Sequence, residues 1–220
     1  MIIAKYVAVV AIGYLLGSIP FGLLISLRST GTDIRRVGSG KTGMTNVLRT
    51  AGRKAAALSL ILDMAKGALA VIFAKLILGD FSYTAHVLAA LAAIAGHSWS
   101  VFLKFKGGRG VATFIGGLIA LHWPAAVVGG GLMLIIGFRT RYMSLGSITG
   151  AVIAFIMLLA LNVLQLNFLK PYPPIEYVIY AMICAIFIYV MHRDNITRLV
   201  RGTERKLGDK VKGSNSGSPE

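Results

Sequence analysis

Seven apolar stretches follow one another along the chain, at positions 2–27, 55–78, 83–103, 111–122, 124–138, 143–164 and 175–191. A helix needs roughly 20 apolar residues to cross bilayer hydrocarbon, and most of these runs approach or exceed that length. Hydrophobic residues make up 56% of the chain and charged residues 14%, whereas soluble domains carry about 25% charged. The pattern is that of an all-α, polytopic membrane protein. The stretches 111–122 and 124–138 are short. They form either one kinked helix broken at Pro124 or two short helices with a tight turn at His122-Trp123-Pro124. Proline removes a backbone donor and disfavours helix at the residue before it.

The basic residues choose between these. With seven helices and the N-terminus outside, the inner connections hold seven Lys or Arg between Arg28 and Lys54, then Lys104, Lys106 and Arg109, then Arg139 and Arg141. Seven more lie between Arg193 and Lys212. The outer positions hold only Lys5, Lys75 and Lys170, and Lys66 lies within a span. A six-helix path would put Arg139, Arg141 and the basic tail outside, against the tendency of basic loops to stay inside. The expectation is seven transmembrane helices, N-terminus outside and C-terminus cytoplasmic. One membrane domain covers 1–207, and a disordered tail, 208–220, ends in GSNSGSPE. The net charge of +15 therefore reads as orientation and anion handling rather than nucleic-acid binding. Cys184, the one cysteine, lies in an apolar run, so no disulfide forms within the chain. The first run is too long for a cleaved signal.

The first inner loop reads GSGKTGMTNVLR, positions 38–49. Gly38, Gly40 and Gly43 match GxGxxG, but a dinucleotide fold needs a strand before it and a βαβ unit after it, and a membrane helix precedes it here. A phosphate-binding P-loop fails as well, because Arg35 stands where its first glycine belongs. What remains is a turn whose backbone N–H groups converge on an anion at a helix start. Ser39, Thr45 and Asn46 add hydrogen bonds, and Arg49 can grip a phosphate by two parallel bonds. The second inner loop, FLKFKGGRGVAT at 102–113, repeats the logic with Lys106, Gly107, Gly108, Arg109 and Gly110. In RYMSLGSI, Ser144 and Ser147 read first as helix caps. In HRDNITRLVRGTERK, His192 and Asn195 fall on one helix face where the last span meets the cytoplasm.

Asp63 and Lys66, three residues apart within a span, read as an ion pair supporting the site from below. His97 with Trp99 reads as packing between helices, and His86, His122 and Trp123 fall near the outer face. No metal-ligand spacing, no nucleophile elbow and no His-x4-Asp pair occurs. No cofactor is implied.

Five motifs in order carry a resemblance: GSG…TN.LR at 38–49, LDMAKG at 62–67, GHSWSVFLKFKGGRGVAT at 96–113, SLGSI at 144–148 and HRDNITRLVRGTE at 192–204. With these the chain resembles the bacterial acyl-phosphate:glycerol-3-phosphate acyltransferases, the PlsY family. It departs at Lys41, Thr42, Gly43 and Met44, where the family usually has Asn-Pro or Asn-Ile followed by Gly-Ala. It departs also at Arg109, where a lysine usually stands. The resemblance implies seven spans in a bacterial inner membrane with the active face cytoplasmic. It implies acyl phosphate and glycerol 3-phosphate as substrates, and 1-acylglycerol 3-phosphate and phosphate as products of a first step in phospholipid synthesis. Ser39, Arg49, Arg109, His192 and Asn195 would carry the reaction. Gly38, Gly40, Gly43, Thr45, Asn46, Lys106, Gly107, Gly108, Gly110 and Ser147 would hold substrate phosphate.

Overall fold

A computed structural model describes residues 1–165 and 172–209. The outer Lys170 and all of the expected tail beyond residue 209 lie outside the described residues. Within them the fold is all helical. The elements are α1 (Ile2–Ser18), α2 (Phe21–Thr30), α3 (Met44–Leu78), α4 (Tyr83–Ser98), α5 (Val111–Thr140), α6 (Met143–Leu164), α7 (Ile175–Met191) and α8 (Arg193–Val200). Five stretches are long and apolar enough to cross a membrane, α1 and α2 together making the first of them. The pair α7–α8, bent by 60° between its members, is a sixth candidate. Large apolar side chains such as Ile3, Leu76, Val127, Ile156 and Ile186 stand exposed around the bundle. A soluble protein rarely leaves so much apolar surface bare; facing lipid, it carries no penalty.

Three breaks interrupt the helical path. The first separates α1 from α2, because Ile19 is extended (φ −60°, ψ 118°) ahead of Pro20. The long helix α3 breaks at Gly52, whose φ of 82° suits a residue without a side chain. This sets the turn 44–51 apart from the span that follows it. The break in α5 falls at His122 (φ −155°, ψ 86°), two residues before Pro124. His122 Nδ1 accepts a hydrogen bond from the Ala125 N–H at 3.3 Å and so caps the second half.

The break in α5 is a fold-back. In a straight helix residues 115 and 130 would lie about 22 Å apart. Instead, a Cβ on Gly130 would stand 3.6 Å from Ile115 Cδ1 and Cγ2. The two halves run side by side, and both ends of α5 reach the same end of the bundle. Neighbouring helices approach through small residues, as membrane helices do without a hydrophobic drive between them. Gly116 lies on the Met64 backbone between α5 and α3, and a Cβ on Gly150 would stand 2.6 Å from Gly129 O between α6 and α5. Far from the basic loops, His86 bridges Tyr177 OH (3.2 Å) and Gly79 O (3.0 Å).

Candidate active site

The glycine loop of residues 38–43 is held by one side chain. Asn46, buried at the start of α3, donates from Nδ2 to Ile34 O (2.8 Å), Lys41 O (2.9 Å) and Val37 O (3.1 Å). Its Oδ1 accepts from the Ser39 N–H at 3.2 Å. Gly38 and Gly40 take positive φ, 64° and 68°, which lets the chain turn tightly enough to wrap the amide. Ser39 is left exposed on the crest. The amide expected to bind phosphate is thus engaged with the loop itself.

That crest forms part of the wall between two cavities. One, of about 260 Å3, is polar. It is lined by all five residues expected to carry the reaction, Ser39, Arg49, Arg109, His192 and Asn195, and also by Gly38, Thr45 and Ser147. The other, of about 270 Å3, is apolar. Leu60, Met64, Ile115, Ile119, Val127 and Leu134 line it, and both halves of α5 contribute. Ser39, Thr45, Arg109, Ser147 and His192 belong to both walls. The α5 fold-back brings this about: Gly110 precedes α5 and Met143 follows it, yet both line the apolar cavity.

The polar cavity holds uncommitted donors on its two arginines and one uncommitted acceptor, the Asn195 amide oxygen. Arg109 is tied by Nε to Met191 O at 3.2 Å, and its terminal nitrogens make no hydrogen bond among the described residues. Arg49 Nε and Asn195 Oδ1 are buried without a partner. Buried polar groups in this condition are costly unless a ligand satisfies them. Ser147 Oγ donates to Met143 O (2.7 Å), and Ser144 Oγ donates to Glu204 Oε1 (2.8 Å). Neither serine caps α6, which starts without a side-chain cap. His192 donates from Nδ1 to Ile188 O at 2.7 Å, so its Nε2 carries the lone pair. Burial, and then the Arg109 charge, pull its pKa down to about 4, and the ring is neutral at pH 7.

Glu204 organises the far wall. Its carboxylate accepts from Asn195 Nδ2 (2.6 Å), Ser144 Oγ (2.8 Å) and Arg198 Nε (2.8 Å). Burial pushes its pKa up, but these hydrogen bonds outweigh burial and hold it below the usual range. Sequence reasoning missed Glu204, Arg198 and Arg205 as cavity residues. Their one signal was membership of the run that opens with His192.

Four expected phosphate ligands line neither cavity: Gly40, Lys106, Gly107 and Gly108. Lys106 points to the exterior. Gly107 and Gly108 lie flat on His97, where a Cβ would overlap His97 O and Nε2 respectively. The Gly108 N–H donates to His97 O at 3.1 Å. These two glycines permit close packing against His97. Gly43 and Gly110 line the apolar cavity. The expected ion pair is present, with Lys66 Nζ 2.8 Å from Asp63 Oδ1. Among the described residues no group of three or more His, Cys, Asp or Glu could hold a metal.

A helical membrane protein with an arginine-lined polar chamber sharing a wall with an apolar one has the form of an enzyme that joins a charged headgroup to a lipid chain. Comparison with known proteins narrows the class. Residues 7–202 match the family described as glycerol-3-phosphate acyltransferase. Glycerol-3-phosphate acyltransferase 3 of Dehalococcoides mccartyi strain 195 is 52% identical over 96% of this chain and 99% of its own length. A glycerol-3-phosphate acyltransferase of Mesorhizobium japonicum is 43% identical over 90% of this chain and 94% of its own. The crystal structure of PlsY, an integral membrane glycerol 3-phosphate acyltransferase, in its glycerol 3-phosphate form superposes with a TM-score of 0.80. It is 37% identical and covers 92% of this chain and 96% of that one. Its lysophosphatidic acid form gives 0.78 at 36% identity over 91% and 94%. The chain belongs to the glycerol-3-phosphate acyltransferase family.

Proposed function

We propose that the protein moves an acyl group from acyl phosphate to the sn-1 hydroxyl of glycerol 3-phosphate, releasing 1-acylglycerol 3-phosphate and inorganic phosphate. One observation carries this reading: the polar, cation-lined cavity and the apolar cavity share a wall that includes Ser39, Lys41, Thr45, Arg109, Ser147 and His192. A substrate pair that is anionic at one end and aliphatic at the other fits that junction. The forms recorded for solved PlsY, with glycerol 3-phosphate and with lysophosphatidic acid, support the acceptor and the product.

Both reactants carry phosphate and repel each other. The work of the site is therefore neutralisation and alignment. Arg49 and Arg109 offer guanidinium groups, which match phosphate by paired bonds, and Asn195 and Ser147 add polar contacts. The acyl chain lies in the apolar cavity. The sn-1 oxygen forms a C–O bond to the acyl carbon while the carbonyl electrons move to its oxygen, where the guanidinium charge of the site can stabilise them. Collapse breaks the bond to phosphate, which leaves with the electron pair. The hydroxyl proton passes to a substrate phosphate oxygen; His192 Nε2 is the other acceptor within the site. If His192→Gln retains near-normal turnover, His192 is not the base.

In the membrane we assign seven crossings, with the N-terminus outside and the C-terminus cytoplasmic, in a bacterial inner membrane. The two halves of α5 count separately because Ile115 meets Gly130. On this path Arg109, Arg139, Arg141 and the 193–209 segment share one face, in keeping with the positive-inside tendency. The deciding experiment incubates the purified protein in liposomes with acyl phosphate and glycerol 3-phosphate and measures phosphate release. Release that needs both substrates supports the enzyme. Flux of glycerol 3-phosphate without release would make it a transporter, and binding with neither a scaffold.

A further inference from the structure

Beneath the Arg109 turn lies a buried polar chain that the proposed reaction does not use. Asp63 and Lys66 project from α3 with side chains only 2–3% exposed, and Lys66 Nζ lies 2.8 Å from Asp63 Oδ1. Lys66 Nζ also donates to Ile19 O at 3.0 Å, at the break between α1 and α2. On the other side His97 Nδ1 lies 3.5 Å from Asp63 Oδ1. The opposite edge of that imidazole, Nε2, faces Gly108, whose N–H is bonded to His97 O. The sequence Lys66–Asp63–His97–Gly108 therefore ends one residue from Arg109. Asp63, His97 and Arg109 all line the apolar cavity.

Such a chain is a poor source of stability. Charges inside a membrane protein are expensive, and a buried ion pair can often be replaced by apolar groups without loss of stability. Packing alone does not call for it. What it supplies is a fixed height: the imidazole meets Gly108 and the His97 carbonyl meets Gly107, neither with a side chain between, so the 107–109 turn rests directly on His97 at one depth. Arg109 is held from the other side by Met191 O.

We propose that Asp63, Lys66 and His97 form a positioning unit that sets the 107–109 turn and thereby places the Arg109 guanidinium against the reacting phosphate. The proposal rests on reading Arg109 as a phosphate-holding group. Misplacing a substrate-positioning group by about 1 Å costs on the order of 100-fold in rate, so the unit has a measurable effect although none of its members touches phosphate.

The test is a double-mutant cycle on the full-length protein in liposomes, read as kcat/KM from phosphate release, with thermal unfolding measured for every variant. Two perturbations are used. The pair D63N/K66M removes both charges at once and leaves no unpaired ion. G108A adds a Cβ that pushes the turn off His97 and alters no charge. Each is expected to lower kcat/KM by about 10- to 100-fold while the unfolding temperature stays within a few degrees of wild type. In an R109Q background each is expected to cost less than about twofold, since the group they position is gone. An equal loss in both backgrounds would make the unit a scaffold for the whole site and overturn the proposal, as would wild-type activity in both perturbed proteins. Should either perturbed protein unfold early, the other carries the cycle; should both do so, the unit is a folding element and the proposal fails. If R109Q alone leaves kcat/KM unchanged, the phosphate-holding reading of Arg109 falls first, and the proposal falls with it by a separate signature.

Discussion

Asn46→Asp is the sharpest probe of how the glycine loop works. The two side chains are nearly the same shape, so the change tests hydrogen-bond polarity and charge with packing held constant. Aspartate keeps an oxygen for the Ser39 N–H. Its second oxygen, though, would face Ile34 O, Val37 O and Lys41 O, the three carbonyls that Nδ2 now serves at 2.8–3.1 Å. Each hydrogen bond contributes about 1 kcal/mol net, so their loss costs about 2–3 kcal/mol. A buried carboxylate among carbonyl oxygens adds more, since an uncompensated buried charge costs about 3–5 kcal/mol. Asn46→Ala loses all four bonds but introduces no charge. Aspartate, the closer mimic in shape, should therefore be the worse replacement. Expressed as transition-state stabilisation, the hydrogen-bond share alone, about 2–3 kcal/mol, corresponds to roughly 30- to 160-fold in kcat/KM, and the charge deepens the loss. The loop is local, so the unfolding temperature should fall far less than activity. The pKa of the introduced carboxyl would be raised by its surroundings, because the neutral acid can donate one bond where the anion can donate none. Its penalty is thus smallest at low pH and grows as pH rises through that pKa. The assay is phosphate release at pH 5.5 and 7.5, normalised to wild type at each pH, for both variants. Asn46→Asp keeping more than about a third of wild-type kcat/KM at pH 7.5, or outperforming Asn46→Ala there, would refute the argument.

Three further outcomes follow from the same geometry. Removing the Arg109 charge with R109Q should raise the His192 pKa from about 4, as followed by NMR of ring-labelled histidine; an unchanged titration would mean that burial alone sets it. Glu204→Gln should lower the unfolding temperature by the equivalent of about 1–3 kcal/mol, the range for breaking a hydrogen bond to a charged group. Because the Glu204 pKa is depressed, the carboxylate's contribution is full above its ordinary value of 4.5 and is lost as pH falls through its folded-state value. Wild type and Glu204→Gln should therefore converge in stability at the acid end, and a gap that stays constant there would contradict the assignment. Ile119→Trp, which narrows the apolar cavity, should depress kcat/KM for long-chain acyl phosphates more than for short-chain ones; equal loss would place the chain elsewhere.

The helical class was legible because apolar run length is a direct consequence of bilayer thickness. The breaks were legible only in part. Pro124 announced an interruption, but whether the halves of α5 kink or fold back depends on what they pack against, and the Ile115–Gly130 contact is a tertiary fact. Pro20 carried the same kind of signal inside a run that was read as one segment, and Gly52 sat unremarked within a basic stretch. The cavity-lining set was largely visible, since Ser39, Arg49, Arg109, His192 and Asn195 are residue types suited to phosphate and lie in loops of one face. The roles of glycine were not. Gly38 and Gly40 bend the loop around Asn46, whereas Gly107 and Gly108 make room for the carbonyl and the imidazole of His97, and both pairs spell the same letters. Glu204 was hidden for a different reason. A carboxylate in a cation-lined cavity looks misplaced until its three donors are known.

These misreadings share one physical cause, and it explains how the site is built. An anion site under a bilayer must hold several cations close together before any substrate arrives, and their mutual repulsion opposes the empty fold. The protein meets this with partners that do not occupy the whole donor set. Arg109 rests on the Met191 carbonyl through Nε alone, and Arg198 pairs with Glu204 while Arg49 Nε stays unpartnered. Each tether fixes a cation in place and leaves part of its bonding capacity open; on the proposed reaction, that part would meet phosphate. The carbonyl tether is drawn from α7, 82 residues from the arginine it steadies, and the single carboxylate after α8 gathers Ser144, Asn195 and Arg198 from two helices. Motifs can therefore reveal which residues meet substrate, while the groups that make their convergence tolerable emerge only when the chain is folded.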